Sequence, residues 1–330
     1  MNHYKIIASR LFAVYCLVIN QLFTGCHRDD FPDLDFRQEM RDFVIGISMS
    51  ARSQDSDFII IPQNGIELIT TGGNANDSLS WPYLSAIDGN GQEDLFFGYN
   101  ADDQATPHDE SEYLTAFLDR LKEDGKEILV TDYCSTHSKM DQSNQLNEEK
   151  GYISFAADRR ELDNIPVYPA IINHENNSAI SDLNEVKNFL YLINYDGFST
   201  KSALISAIGS TNYDLLITDL YFDGNNAFSA SDINNLKTKA NGGKRLVICY
   251  LSIGEAEDYR YYWEQGWKPG HPAWLEKENP DWKGNYKVRY WDKEWQAIIY
   301  GNNSSYLQKI IEVGFDGVYL DIIDAYEYFE

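Results

Sequence analysis

The feature that most constrains this sequence is a short apolar strand that ends in carboxylates, within Gly314-Phe-Asp-Gly-Val-Tyr-Leu-Asp-Ile-Ile-Asp324. The run Val318-Tyr-Leu320 is too short for a helix and is rich in strand-forming residues. Asp321 follows it directly. A buried parallel strand that ends in acids is the form in which an α/β barrel presents carboxylates at its C-terminal face. The segment therefore predicts a barrel strand that delivers Asp321 to a functional site.

Predicted strands and helices alternate along most of the chain. Apolar runs typical of strands lie at 58–61, 127–132, 152–155, 188–194, 213–219 and 245–255. Helical spacing of apolar residues occurs at 33–52, 111–122, 199–209, 229–240 and 295–313. Eight or nine strands that alternate with helices predict a parallel sheet closed into an α/β barrel. Because no internal repeat or linker interrupts the pattern, residues 34–330 are predicted to form one domain.

Three segments depart from this alternation. Residues 158–185 are predicted to be irregular, and Asn90-Gly-Gln-Glu93 is predicted to be a turn because of its composition. The segment 263–291 is aromatic, with Trp263, Trp267, Trp274, Trp282 and Trp291. A single Trp is more often a core residue than a ligand contact. Five of them in one loop-like segment favour a lining for the mouth of the barrel.

The composition restricts the class of ligand. The chain has 27 Lys and Arg against 52 Asp and Glu, a formal charge of −25. This balance excludes a nucleic-acid partner, since phosphate binding needs clustered cations, and it permits a neutral or cationic ligand. The six His residues are scattered, and no Cys/His spacing predicts a metal site. No phosphate-binding or dinucleotide-binding glycine motif is present, so no cofactor is predicted.

The N-terminal residues are typical of an export signal. Lys5 and Arg10 precede the apolar run Leu11-Phe-Ala-Val-Tyr-Cys-Leu-Val-Ile19, which is too short to span a bilayer. Leu22-Phe-Thr-Gly-Cys26 then resembles a bacterial lipobox. We expect residues 1–25 to be a signal peptide, Cys26 to be lipidated and 26–33 to form a tether. The protein would then be exported and lipid-anchored in the cell envelope, on the periplasmic or surface side of the outer membrane. An ordinary cleaved signal is the alternative.

Two further cysteines, Cys134 and Cys249, each lie at or near the end of an apolar strand. In an exported protein they could form a disulfide. Two buried thiols are an equally good interpretation.

Four acids stand at or just beyond predicted strand ends, namely Glu93, Asp219, Glu255 and Asp321. One such acid is explained by capping of the next helix. Four exceed what capping needs in a barrel whose site is built from strand ends. Two carboxylates that flank a glycosidic bond suffice for its hydrolysis, one as general acid and one as nucleophile or base. Aromatic side chains at the barrel mouth would suit a sugar ligand.

The segment Val247-Ile-Cys-Tyr-Leu-Ser-Ile-Gly-Glu-Ala-Glu-Asp-Tyr-Arg260 resembles the signature of glycoside hydrolase family 114. The resemblance continues through 60–65, 87–97, 285–292 and 314–324. This family comprises endo-α-1,4-polygalactosaminidase-like proteins on a (β/α)8 TIM barrel. The resemblance therefore implies a glycosidase that acts on a polysaccharide with amino sugars.

The resemblance also implies roles for particular residues. Asp321 matches the acid at the end of the family's fifth barrel strand, and Glu93 matches the acid at the seventh. These two are the implied catalytic pair. The other matching positions are implied to bind substrate: Asn64, Asp219, Tyr250, Glu255, Arg260, Trp291 and Asp324.

The order of the motifs differs from the order in the family. The family runs from the strand matching 188–194 to the blocks matching 60–65 and 87–97, whereas here those blocks come first. We therefore expect a circularly permuted barrel that starts at helix 5 and ends at strand 5, with the helix at 34–52 covering the strand of Asp321. The alternative to an enzyme is a non-catalytic carbohydrate-binding surface lipoprotein. The oligomeric state, the sugar and the stereochemical outcome are left open.

Overall fold

The computed structural model describes residues 31, 33–224 and 226–330. The predicted signal peptide at 1–25 and the predicted lipidation site Cys26 lie outside the described residues, as does most of the tether. Within the described ranges, no helix has the length and apolar character needed to cross a membrane.

The chain forms eight α-helices and eleven strands within the described residues, with short 3-10 helices at Ile66–Ile69, Leu183–Glu185 and Ile323–Tyr328. The helices are α1 Phe36–Arg52, α2 Trp81–Ala86, α3 His108–Glu123, α4 His137–Lys150, α5 Lys201–Gly209, α6 Ala230–Leu236, α7 Lys293–Ile299 and α8 Tyr306–Val313. The strands are β1 Ile59–Pro62, β2 Gly89–Glu93, β3 Glu127–Tyr133, β4 Ile153–Ala157, β5 Phe189–Tyr191, β6 Leu215–Thr218, β7 Leu246–Ser252, β8 Glu255–Glu257, β9 Leu275–Glu278, β10 Asn285–Val288 and β11 Gly317–Asp321.

Eight of the strands are parallel and follow one another in chain order. One sheet has the order β1-β11-β7-β6-β5, and another has the order β2-β3-β4. A parallel bridge from Gln63 to Gly91 joins the two sheets, and the amide of Asn64 donates to the carbonyl of Gly91 at 2.8 Å. At the other end, β4 and β5 meet through side chains, with the rings of Phe155 and Phe189 5.5 Å apart. The predicted α/β class with parallel strands is confirmed.

The predicted turn at Asn90-Gly-Gln-Glu93 is wrong, because these residues form most of strand β2. Strand β2 pairs with β3 from Gly89 to Glu93. A Cβ on Gly91 would lie 1.8 Å from the hydroxyl oxygen of Tyr319, which comes from β11 and is fully buried. Glycine is therefore required at Gly91 by the close approach of a tyrosine across the sheet interior, and not by a turn.

The segment between β7 and β11 contains a separate antiparallel sheet, with the order β8-β10-β9. Strand β11 pairs directly with β7. Counted from β5, Asp321 therefore ends the fourth parallel strand and Glu93 ends the sixth. The match of these two strands to the family's fifth and seventh strands stays a prediction. The helix predicted over 295–313 is divided into α7 and α8, with Gly301 in a left-handed conformation (φ 89°) between them.

Helix α1 buries an apolar stripe formed by Met40, Phe43, Val44 and Ile47, which are all inaccessible to solvent. Asp35 caps the helix by accepting a hydrogen bond from the amide of Gln38 at 2.9 Å. Burying such a stripe is what stabilises an amphipathic helix, and truncation of one large side chain there costs about 3–5 kcal/mol. The predicted helix at the start of the domain is confirmed.

Cys134 and Cys249 are both buried free thiols. The structure therefore agrees with the second of the two sequence-based interpretations.

Candidate active site

Asp321 is the last residue of β11, and a tyrosine from the neighbouring strand holds its carboxyl group. The hydroxyl of Tyr250 in β7 donates to Oδ2 of Asp321 at 2.6 Å. Burial and, after it, the negative charge of Glu93 raise the pKa of Asp321 to about 8, while the hydrogen bond from Tyr250 opposes the shift. Asp321 is therefore predominantly protonated at neutral pH, as a general acid must be.

Glu93 is the last residue of β2, and side chains from two other strand ends fix its orientation. The amide nitrogen Nδ2 of Asn64, which follows β1, donates to Oε2 at 3.1 Å. The hydroxyl of Tyr133, at the end of β3, donates to Oε1. The backbone amide of Glu93 in turn donates to Oδ1 of Asn64 at 3.0 Å. Asn64 reaches this position in a left-handed conformation with φ 59°, which Asn tolerates better than most residues.

The structure brings Asp321 and Glu93 to the same end of the parallel strands. The charge of Glu93 is the second largest cause of the raised pKa of Asp321, after burial. Both charges also act on Tyr319, whose ring fills the sheet interior between the two strands. Acid–base hydrolysis of a glycosidic bond uses a carboxyl group that keeps its proton together with a second carboxyl group.

Asp219 and Arg260, both predicted to bind substrate, form a buried ionic cluster with Glu257. Nη1 of Arg260 lies 2.6 Å from Oδ2 of Asp219, and Nε lies 2.5 Å from Oε2 of Glu257. The Arg260 guanidinium also donates to the hydroxyl of Tyr306 at 3.1 Å. A buried cation whose donors are occupied by two carboxylates is held rigidly in place. Any contact of Asp219 or Arg260 with a sugar stays a prediction.

Glu255 lies at the start of β8 and is 2% exposed. Asn279 donates to its Oε1 at 2.7 Å and Asn285 donates to Oε2 at 3.3 Å. Burial raises the pKa of Glu255 to about 7, while these two amides and the charge of Lys287 act in the opposite direction. Glu255 is thus a second buried carboxyl group that can change its charge near neutral pH.

The structure places Asp324 near the candidate pair and Trp291 in a different environment. Asp324 lies in the 3-10 helix that follows β11, and its charge contributes to the raised pKa of Asp321. The ring of Trp291 packs on Phe36 at 5.2 Å and on Phe329 at 4.7 Å. Trp291 is therefore part of an aromatic cluster at the start of α1.

Most of the other tryptophans pack against each other. The ring of Trp267 lies 5.3 Å from Trp263 and 4.9 Å from Trp274, and Trp274 is only 2% exposed. Trp282 is 39% exposed. The predicted lining of the barrel mouth by these tryptophans is therefore wrong for Trp274, because burial against its neighbours removes it from the surface.

Sequence reasoning missed Tyr133, Glu257 and the two asparagines that hold Glu255. Tyr133 could have been found from the alternation of side chains along β3, since Thr131 pairs with Glu93 and Tyr133 lies two residues further on the same face. Asn279 directly follows β9 and Asn285 begins β10, and no local sequence pattern indicates that either approaches Glu255. Within the part of the chain that the structure describes, no group of three or more His, Cys, Asp or Glu residues could hold a metal ion.

Comparison with known proteins finds a family model and several relatives that match parts of this chain. Residues 203–330 match the model of glycoside-hydrolase family GH114. An uncharacterized protein of Methanocaldococcus jannaschii is 43% identical over 160 residues, which are 48% of this chain and 42% of that protein. Uncharacterized proteins of Deinococcus radiodurans and Thermotoga maritima are 44% identical over 123 residues and 40% identical over 121 residues. Those two matches cover 37% of this chain and, respectively, 37% and 36% of the relatives.

This chain thus spans about two fifths of the length of the curated relatives it matches. The matched region 203–330 contains Tyr250, Glu255, Arg260 and Asp321, while Glu93 lies outside it. The resemblance to glycoside hydrolase family 114 that the sequence motifs predicted is therefore shown for residues 203–330.

Proposed function

We propose that this protein is a glycoside hydrolase that cleaves a polysaccharide with Asp321 as general acid and Glu93 as nucleophile or base. The observation that carries the proposal is the position of the two carboxyl groups, each on the last residue of its strand and at the same end of the parallel strands. Asp321 is held by Tyr250 with a pKa of about 8, and Glu93 is held by Asn64 and Tyr133.

The roles follow from the environments of the two groups. Below about pH 8 the carboxyl of Asp321 retains its proton and can donate it to the oxygen of the leaving sugar. Glu93 receives hydrogen bonds on both oxygens, so that the orientation of its carboxyl group is fixed. Because Asp321 keeps its proton before reaction, the mutual repulsion that two charged carboxylates would otherwise have is avoided.

The proposed substrate is a polymer of amino sugars, as in the endo-α-1,4-polygalactosaminidase-like proteins that the motifs resemble. Free amino groups on such a polymer are cationic, and the formal charge of −25 on this chain would attract them. Neutral polysaccharides are the control class, because they lack this attraction.

The experiment is a screen of purified protein against a panel of glycans, with product release as the signal. Asp321→Asn and Glu93→Gln should each reduce turnover by about 10²–10⁴-fold, the contribution of a positioned acid or base. Glu149→Gln is a matched control, since Glu149 is exposed on α4 and bonds to Gln145 at 2.9 Å. Normal turnover by both site variants would contradict the proposal. Binding of a glycan by wild type without turnover would favour a non-catalytic carbohydrate-binding protein.

We also propose that the eight parallel strands close into a barrel whose motif order is circularly permuted. The meeting of β4 and β5 through Phe155 and Phe189 supports closure. The position of α1 supports the permuted order: Gln54 bonds to Gln308 of α8 at 2.9 Å, and Arg37 forms an ion pair with Glu330 at 3.0 Å. Helix α1 thus lies where a helix following β11 would pack. A relative's structure in which the block matching 60–65 also precedes the block matching 314–324 would contradict the permutation.

Export with a lipid anchor at Cys26 is a further proposal, supported by the sequence of residues 1–26. Cys26→Ser should move the protein from the membrane fraction to the soluble fraction of cells that process lipoproteins. Cys16→Ser, in the predicted leader, is the matched control and should leave the distribution unchanged. A Cys26→Ser protein that remains in the membrane fraction would contradict the anchor.

A further inference from the structure

Arg160, in the irregular segment after β4, reaches back to the residues that follow β2. Its Nη2 donates to Oδ1 of Asp94 at 2.8 Å, and its Nη1 lies 3.2 Å from Oδ2 of the same carboxylate. Nη2 also donates to the carbonyl of Gly98 at 2.9 Å, and Nε pairs with Asp102 at 2.5 Å. The guanidinium is therefore fixed by a two-pronged contact with Asp94 and by two further acceptors, a geometry that Lys cannot reproduce.

The same guanidinium lies over the ring of Tyr133, with its central carbon 3.9 Å from the ring centroid. This is a close cation–π contact. The hydroxyl of Tyr133 donates to Oε1 of Glu93. Arg160 thus contacts the face of the ring whose hydroxyl holds the candidate nucleophile or base, although Arg160 comes from a different segment of the chain.

Asp94 links Arg160 to Glu93 along the backbone as well. Asp94 is the residue after Glu93, its side chain is 1% exposed, and it adopts a left-handed conformation with φ 58°. Such a conformation is unfavourable for a residue with a side chain and persists only where surrounding contacts fix it. The ion pair with Arg160 supplies such a contact directly behind the carboxyl end of β2.

The field of Arg160 acts on the Tyr133 hydroxyl. Burial and the charge of Glu93 raise the pKa of Tyr133 well above its usual range, while the charge of Arg160 acts in the opposite direction. A nearby cation makes the hydroxyl a stronger hydrogen-bond donor, because it favours negative charge on the oxygen.

We propose that Arg160 is a positioning residue for Glu93, which it orients through the Tyr133 ring and through Asp94. This inference rests on the proposed function for the role of Glu93 in hydrolysis. The competing interpretation is that Arg160 only anchors its loop to the loop after β2. Asp102 separates the two interpretations, because it pairs with Arg160 from a half-exposed position, whereas Tyr133 is the residue that bonds to Glu93.

The first test is structural and needs no substrate. Crystal structures of the full chain with Arg160→Gln and with Asp102→Asn would show the contact between the Tyr133 hydroxyl and Glu93. The proposal predicts that this contact is lost in Arg160→Gln and kept in Asp102→Asn. A Tyr133–Glu93 separation within about 3.2 Å in Arg160→Gln, an ordinary hydrogen bond, would overturn it.

The second test is kinetic and separates this inference from the proposed function. On a glycan that wild type hydrolyses, Arg160→Gln should lower kcat by about 10–100-fold, the range for outer-shell partners of a functional group, with little change in KM. Asp102→Asn should leave kcat unchanged. In a protein that already carries Tyr133→Phe, Arg160→Gln should lower kcat much less than it does in wild type, because Arg160 acts on Glu93 through Tyr133.

The outcomes of the kinetic test are distinct. If Arg160→Gln lowers kcat by the same factor in wild type and in Tyr133→Phe, the positioning role is wrong, while the proposed function is unaffected. Full activity of Glu93→Gln would instead overturn the proposed function. Arg160→Lys keeps the positive charge but loses the two-pronged contact with Asp94. It replaces Arg160→Gln as the test variant if Arg160→Gln does not fold. We expect Arg160→Lys to lower kcat about 10-fold, and wild-type kcat in a folded Arg160→Lys protein would contradict the proposal.

Discussion

At the scale of residues, the neighbours of each carboxyl group give chemically similar acids different environments. Asp321 is half-buried, its pKa is raised by the charge of Glu93, and it receives a hydrogen bond from Tyr250. Asp219, also at a strand end, forms an ion pair with Arg260. The sequence pattern of an apolar strand followed by an acid is the same for both, so the pattern alone cannot separate a candidate proton donor from part of an ionic cluster.

The protonation of Asp321 makes a prediction about stability. Its pKa is about 8 in the folded protein against 3.8 for an ordinary Asp, so the folded state binds the proton more tightly. Its contribution to stability is therefore present below about pH 4 and is lost as the pH rises to about 8. Asp321→Asn removes this dependence.

Thermal unfolding of wild type and Asp321→Asn between about pH 4 and about pH 9 measures this effect. The Tm of the variant should rise relative to wild type across that window, by at least about 2–4 °C, the shift that 1 kcal/mol produces in domains of 150–250 residues. A difference in Tm that does not change with pH would show that the carboxyl of Asp321 is not held protonated by the fold.

At the scale of elements, strand β2 shows how a side chain from a distant strand restricts which residue a strand can have at one position. Its residues Gly-Asn-Gly-Gln-Glu have low strand propensity. They form a strand because Gly91 admits the buried side chain of Tyr319, while the backbone pairs with β3. Strands β2 and β11, which carry Glu93 and Asp321, thus pack closely against each other where Gly91 meets Tyr319.

Gly91→Ala should therefore destabilise the protein by about 1–3 kcal/mol, as overpacking of a core does, and should reduce activity by displacing β2. The added Cβ would meet the Tyr319 hydroxyl at 1.8 Å and the ring carbon Cζ at 2.4 Å. Tyr319→Phe in the same chain removes the first clash and should restore part of the stability.

Denaturant unfolding measures the free energy of unfolding of Gly91→Ala alone and combined with Tyr319→Phe. Gly209→Ala is the control. A Cβ on Gly209 meets nothing within 4 Å, and Gly209 is the last residue of helix α5. A Gly91→Ala protein as stable as Gly209→Ala would contradict the proposed fit between β2 and β11.

The elements that the sequence predicted well are those with an apolar stripe or run of their own. Helix α1 and strand β11 have such patterns, and the structure confirms both. Helix α4 was missed because its buried face is polar: Ser143 and Asn147 donate to the buried carboxylate of Asp132, at 2.6 and 3.3 Å. Strand β2 was missed because Gly91 is required by the approach of Tyr319 from β11, which the local sequence of β2 does not reveal.

At the scale of the whole molecule, the parallel arrangement is what brings distant residues to one site. Glu93 and Asp321 are 228 positions apart in the sequence, yet their strands are separated only by β1 in the sheet order and the linking bridge. The positions of the two acids could be predicted because strand ends of a parallel sheet meet at one face. The residues that hold them could not, because Tyr133 and Asn64 reach Glu93 across strand boundaries.

The most direct measurement of the central claim is the pH dependence of kcat/KM on a glycan that the wild-type protein hydrolyses. If Asp321 is the general acid, the rate should fall on the alkaline side with an apparent pKa near 8, the value for the folded carboxyl group. In Asp321→Asn the residual rate should lack this alkaline limb. A wild-type rate that stays constant or rises through about pH 9 would contradict the assignment of Asp321 as the proton donor.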